Sequence, residues 1–170
     1  DQMIEPQGRA AATWAHTMLG PRNRMAADEV NGRFMLTYGD GVSDINIQNL
    51  IDFHKNHNKA ITMTAVQPEG RFGAIQLDDT TDLVTNFIEK PQGDGAWING
   101  GFFVLEPEVF DYIEDNSTVF EKEPLESLSK EMQLAAYLHN GFWKCMDTMS
   151  DKNVLENLLK SGRAPWVKWQ

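Results

Sequence analysis

Cysteine is nearly absent from this sequence. Cys145 is the single one in 170 residues, which excludes an intrachain disulfide and any metal site built on cysteine alone. A chain this poor in thiols fits a reducing compartment, and the cytoplasm is the expected location. No apolar run approaches the roughly 20 residues that a membrane-spanning helix needs. The opening stretch, "DQMIEPQGRAAATW", lacks the basic, apolar and small-residue order of a secretory leader. Positive charge is also scarce: 15 Lys and Arg against 25 Asp and Glu give a formal net charge of −10. Such a surface repels phosphate backbones and anionic lipid, so neither nucleic acid nor membrane is an expected partner. One local site for a phosphorylated small molecule stays open, above all where Mg²⁺ mediates the contact.

What is present suffices for one domain with a real core: 170 residues, 41% of them apolar. Residues 1–32, with a Gly20-Pro21 break, read as a loosely defined N-terminal arm. From Arg33 onward, strand and helix signals alternate. "RFMLTY" reads as a buried strand. "NIQNLIDFHKNH" reads as a helix capped by Asp44 or Asn46, and "AITMTAV" as a second strand. That order predicts a βαβ unit with a parallel pair. "GAIQLD", "LVTNFIEK" and "WINGGFFVL" follow as three further strands, and "PEVFDYIE" as a short helix opened by proline. "PLESLSKEM" is another helix, and "LAAYLHN" and "FWKCMD" flank Asn140-Gly141, a strong hairpin signal. "SDKNVLENLLKSG" closes the series as a capped helix ending at Gly162. The balance predicts one α/β domain over residues 33–170 with a mixed sheet.

Four places hold residue types suited to chemistry. In "FMLTYGDGVSD", Asp40 lies between two glycines where an apolar strand ends, the position at which open α/β sheets bind ligands. A hard carboxylate there suits Mg²⁺, and an ordinary turn has the same composition. In "FIEKP", Lys90 could meet a phosphate and Glu89 could accept from sugar hydroxyls; a solvated pair at a strand end is the plainer alternative. "WINGGFFV" sets Asn99, Gly100 and Gly101 inside an apolar strand, either a bulge with a self-satisfied Asn or a backbone that a hydroxyl-rich ligand approaches. "FWKCMDTMSD" ends a strand in Asp147, which is either a helix cap or, with Asp40, the second carboxylate of a metal pair. The histidines have no zinc-site spacing, and the tail "APWVKW" reads as packing.

Taken in order, "FMLTYGDGVSD", "GRFGAI", "FIEKPQGDGAWINGGFFVL", "FEKEPLESL", "GFWKCMDTMSDK" and "APWVKW" resemble the sugar-phosphate nucleotidyltransferase family, in its glucose-1-phosphate cytidylyltransferase branch. The resemblance runs continuously from about Arg33 to Gln170, and "TMLGPR" is a weaker match before it. It implies a mainly Rossmann-like mixed sheet and the transfer of a cytidylyl group to glucose 1-phosphate, giving CDP-glucose and pyrophosphate. Carried over by position, Asp40 and Asp147 would hold Mg²⁺ and Lys90 would meet the sugar phosphate. Glu89, Asn99, Gly100 and Gly73 would line the hexose.

The family's glycine-rich Gly-Gly-x-Gly-Thr-Arg loop has no counterpart here. The resemblance therefore leads us to expect a domain truncated before its first βαβ units and not active as this chain alone. It would bind a sugar phosphate or nucleotide sugar, with or without turnover, or persist as a dimeric structural remnant. An edge left open by the missing units would favour a homodimer.

Overall fold

The computed structural model describes residues 30, 32–68, 70, 74–78, 80–81, 83–89, 96–114 and 118–168. Most of the expected N-terminal arm, together with Gly73 and Lys90, lies outside the described residues.

A four-stranded mixed sheet forms the centre, with β1 (Phe34–Thr37), β6 (Ile98–Leu105), β3 (Ile61–Val66) and β7 (Leu134–His139) side by side in that order. β6 is antiparallel to both β1 and β3, and β3 is parallel to β7. Two antiparallel ribbons flank it: β2 (Gly41–Ser43) with β8 (Trp143–Cys145), and β4 (Ala74–Leu77) with β5 (Val84–Ile88).

β6 is central because both of its faces are apolar. Phe103 and Leu105 point into one cluster with Leu36, Ile61, Phe120, Leu125 and Leu128. Val104, with Phe102 beside it, points into the other with Ile45 and Leu50. The first face is covered by a 3₁₀ turn (Pro107–Tyr112) and helix α2 (Glu123–Lys130); the second is covered by α1 (Ile47–His57). Helices on both faces of one mixed sheet match the expected α/β class.

Two local expectations need correcting. β1 and β3 do not form the parallel pair of a simple βαβ unit, because β6 lies between them and β7 is the parallel neighbour of β3. The apolar β6, buried on both faces, takes the inner position that an amphipathic strand would leave half unsatisfied. Nor do β7 and β8 form a hairpin, although Asn140-Gly141 joins them. Their partners are β3 and β2 instead, and the glycine serves a close approach. A Cβ on Gly141 would stand 2.3 Å from Asp44 Oδ1 and 2.6 Å from His139 Cε1, where the histidine and aspartate pair at 3.0 Å.

α1 begins as the sequence suggests. Of the two candidate caps it uses Asn46, whose side chain accepts from Asn49 N. The last helix, α3 (Met149–Lys160), starts earlier than "SDKNV" implies. Thr148 caps it in a reciprocal capping box with Asp151, so Asp147 is not the cap.

Candidate active site at one end of the sheet

The site is assembled where β1 ends and β6 begins. Gly39 and Asp40 form the turn between β1 and β2, so Asp40 precedes a short strand rather than a helix. The β2–β8 ladder then decides its neighbours. Gly41 pairs with Cys145, and Met146 N donates to Asp40 O at 2.9 Å. The second carboxylate, Asp147, follows directly. Two aspartates far apart in sequence thereby reach neighbouring positions of one ribbon, both exposed. The segment that carries Asp147 is tied on both sides, since Lys144 on β8 ion-pairs with Asp151 of α3 at 2.7 Å and Thr148 donates to the same carboxylate. Those partners hold the Asp151 carboxyl down at about 2, so it is ionised at neutral pH. Cys145 donates to Asp147 Oδ2 at 3.2 Å, and burial pushes its thiol pKa up, which keeps the proton available for that bond.

The Asn99-Gly100-Gly101 segment adjoins this ribbon. Its register with β3 slips between Met63 and Ala65, so the glycines do form a bulge, and Gly101 N donates to Asn99 Oδ1 at 2.9 Å. Gly100 O accepts from Trp143 Nε1 at 2.7 Å, tying the bulge to β8. A side chain on Gly100 would meet Val66 Cγ1 at 2.9 Å, so the backbone is already in close contact with β3.

Two residues to which the sequence alone assigns no role complete the arrangement. Tyr38 Oη donates to Glu121 Oε1 at 2.5 Å and accepts from Asn99 Nδ2 at 3.1 Å. Burial, then the Glu121 carboxylate, pushes the Tyr38 pKa well above its usual value, so the phenol keeps its proton. Signals for both exist: Tyr38 directly precedes Gly39-Asp40, and Glu121 belongs to "FEKEPLESL", one of the stretches that carry the resemblance.

Asp40, Asn99, Gly100 and Asp147 are thus brought to one end of the sheet. Glu89 is exposed at the end of β5, on the separate ribbon, and Lys90 and Gly73 lie outside the described residues. No cluster of three or more His, Cys, Asp or Glu able to hold a metal occurs among the described residues. Two carboxylates without further protein ligands is the donor set that Mg²⁺ accepts when phosphates and water complete its shell. An open depression of about 440 Å³ lies at the opposite end of β6, but Glu106, Glu108 and Glu131 line it. Lys59 lines it as well, and none of Asp40, Asn99 or Asp147 does.

An open mixed α/β sheet with polar groups gathered beyond its strand ends is of the class that binds ligands there, and comparison narrows it. Residues 5–156 match the nucleotidyl transferase family model, and the chain belongs to that family. It is 50% identical over 156 residues to glucose-1-phosphate cytidylyltransferase of Salmonella typhimurium (strain LT2), covering 91% of this chain and 60% of that protein. It is 36% identical over 129 residues to the mannose-1-phosphate guanyltransferase of Saccharomyces cerevisiae (strain S288c), covering 74% of this chain and 35% of that one. Among solved structures, HddC from Yersinia pseudotuberculosis superposes with a TM-score of 0.54 at 18% identity, over 89% of this chain and 62% of the other. The structural likeness supports the fold. The chain spans about 60% of the length of its cytidylyltransferase relatives.

Proposed function

We propose that this chain carries the metal and sugar-phosphate side of a glucose-1-phosphate cytidylyltransferase site. In the reaction, a phosphate oxygen of glucose 1-phosphate attacks the α-phosphorus of CTP. A new P–O bond forms, the α–β bridging bond breaks, and pyrophosphate leaves with that electron pair. The observation that carries the reading is the meeting of Asp40 and Asp147 on one ribbon beside the Asn99 bulge. The 50% identity to a cytidylyltransferase favours CTP and glucose over the guanylyl and mannosyl pair of the more distant relative.

Asp40 and Asp147 would hold Mg²⁺, which when bound neutralises phosphate charge. The protein's own part is positioning. The carboxylates would fix the metal side, and Asn99 and Gly100 would line the hexose; the parts given to Lys90 at the sugar phosphate and to Glu89 and Gly73 at the hexose rest on the family resemblance alone. Asn99 suits hydroxyls because its carboxamide both donates and accepts.

We further propose that the chain associates as a homodimer. β1 is an edge of the sheet among the described residues, and the β4–β5 ribbon exposes Ile75, Phe87 and Ile88.

Isothermal titration of the chain with glucose 1-phosphate and with CDP-glucose, each with and without Mg²⁺, tests the site. Binding that requires Mg²⁺ is expected for at least the nucleotide sugar. The absence of heat with either ligand, at protein concentrations that would detect millimolar affinity, would sink the reading.

A further inference from the structure

Asn99 can read a hydroxyl only if its carboxamide faces one way, and the surrounding groups settle which way. Tyr38 has a single phenolic proton, and it is given to Glu121 Oε1 at 2.5 Å. The phenol oxygen therefore faces Asn99 as an acceptor, and only the amide nitrogen can bond it, at 3.1 Å. On the other side, Gly101 N–H needs an acceptor and finds Asn99 Oδ1 at 2.9 Å. Both neighbours impose the same orientation. Turning the amide over would bring NH₂ against an N–H and an acceptor against an acceptor.

The relay is rigidly mounted. Tyr38 N donates to Gly101 O at 2.9 Å. The Tyr38 ring covers Gly101 so closely that a Cβ there would fall 2.8 Å from Tyr38 Cδ2. Glu121 Oε2 is buried and accepts no hydrogen bond among the described residues, so Tyr38 is the partner that fixes this carboxylate. An unpaired buried oxygen is costly, and such costs are retained where a group is needed for more than packing.

We propose that Glu121 and Tyr38 are positioning residues that set the polarity of the Asn99 carboxamide, leaving one N–H and one Oδ1 lone pair in fixed order for a hexose 1-phosphate. The consequence is selectivity: a sugar whose hydroxyls match that order is favoured over an epimer. This consequence rests on the sugar-phosphate reading above. The relay itself does not, and it can be observed without ligand.

The test is the nuclear Overhauser contact between the Asn99 side-chain amide protons and the Tyr38 ring in the ligand-free, isotope-labelled chain. It is expected in the wild type and in Glu121→Gln, which keeps an acceptor for the phenol. In Glu121→Leu the phenolic proton is released, the amide can turn, and the contact should weaken or vanish. Titration then compares glucose 1-phosphate with galactose 1-phosphate. Tyr38→Phe should bind the preferred epimer about 3- to 10-fold more weakly, the worth of one net hydrogen bond, and discriminate less between the two. A wild-type contact in Glu121→Leu together with unchanged discrimination in Tyr38→Phe overturns the relay. If Glu121→Leu does not fold, Tyr38→Phe decides alone, through the change in shift separation of the two Asn99 amide protons. Should no sugar phosphate bind the wild type, the sugar reading falls, and the ligand-free contact still decides whether the relay exists.

Discussion

Gly101 shows how much one missing side chain can decide. Its φ of +75° lies in the left-handed region, and the space where a Cβ would sit is filled by the Tyr38 ring. Backbone conformation and packing both demand glycine, while Gly100 is constrained by packing alone, on Val66 and the Thr64 carbonyl. Gly101→Ala should therefore destabilise the fold by roughly 2–4 kcal/mol, combining left-handed strain with overpacking. Urea unfolding measures it. A loss under about 0.5 kcal/mol would mean that the bulge rearranges freely, against the tight seating of Tyr38. At this scale the sequence is half legible. The suitability of Asp40, Asp147 and Asn99 follows from residue type and strand-end position. The role of Tyr38 stays hidden because a tyrosine at the end of an apolar strand reads as core. Its meaning depends on Glu121, which reaches it from the segment before α2.

Among the elements, α1 is fastened to the sheet by polar groups as well as by Leu50. His54 is buried, and its Nδ1 lies 2.8 Å from Thr62 Oγ1, which His57 Nε2 also approaches at 2.7 Å. On its other side, His54 Nε2 lies 3.2 Å from Glu106 Oε1, which also pairs with Arg33. Burial is the leading cause that holds both histidines below their ordinary pKa of 6.5. Below pH 6.5 the unfolded chain takes up protons that the fold still refuses. The unfolded state then binds more protons, and stability falls as pH falls toward the lowered folded values. The contribution is fully present above pH 6.5. The thermal midpoint should drop between pH 7.5 and 5.5, and a His54→Gln variant should show a shallower drop. A flat wild-type profile across that window would contradict a buried neutral His54.

The type of nearly every element from Arg33 onward can be read from periodicity, caps and turns, because those signals are local. Pairing cannot. Asn140-Gly141 looks like a hairpin until Asp44 and His139 occupy the space beside it, and the βαβ reading fails because β6 arrives later to part β1 from β3. Order along the chain does not reveal which strand has two apolar faces packed.

Over the whole molecule, the β2–β8 ribbon brings Asp40 and Asp147 together from distant segments. The tail after α3 reinforces it: Trp166 packs on Phe142 with ring centroids 5.2 Å apart, and Lys168 donates to Asp44 O at 2.7 Å. Elsewhere the surface is less finished. Leu83 and Phe87 are 66% and 60% exposed on and beside the β4–β5 ribbon, a strong reason to expect self-association. Light scattering at micromolar concentration should report twice the mass of one chain, and a single monomeric species would rule the dimer out. Among the described residues, no helix is long and apolar enough to cross a membrane.

The central claim is that Asp40 and Asp147 hold one ion between the protein and a sugar phosphate, and a double-mutant cycle tests it most directly. The Mg²⁺-dependent part of the binding free energy for CDP-glucose would be measured in the wild type, Asp40→Asn, Asp147→Asn and the double variant. If both carboxylates serve the same ion, each single change removes most of the Mg²⁺ dependence, and the second adds little to the first. If the two losses simply add, or if either variant keeps the full Mg²⁺ effect, the pair does not share a metal and the site has been read wrongly.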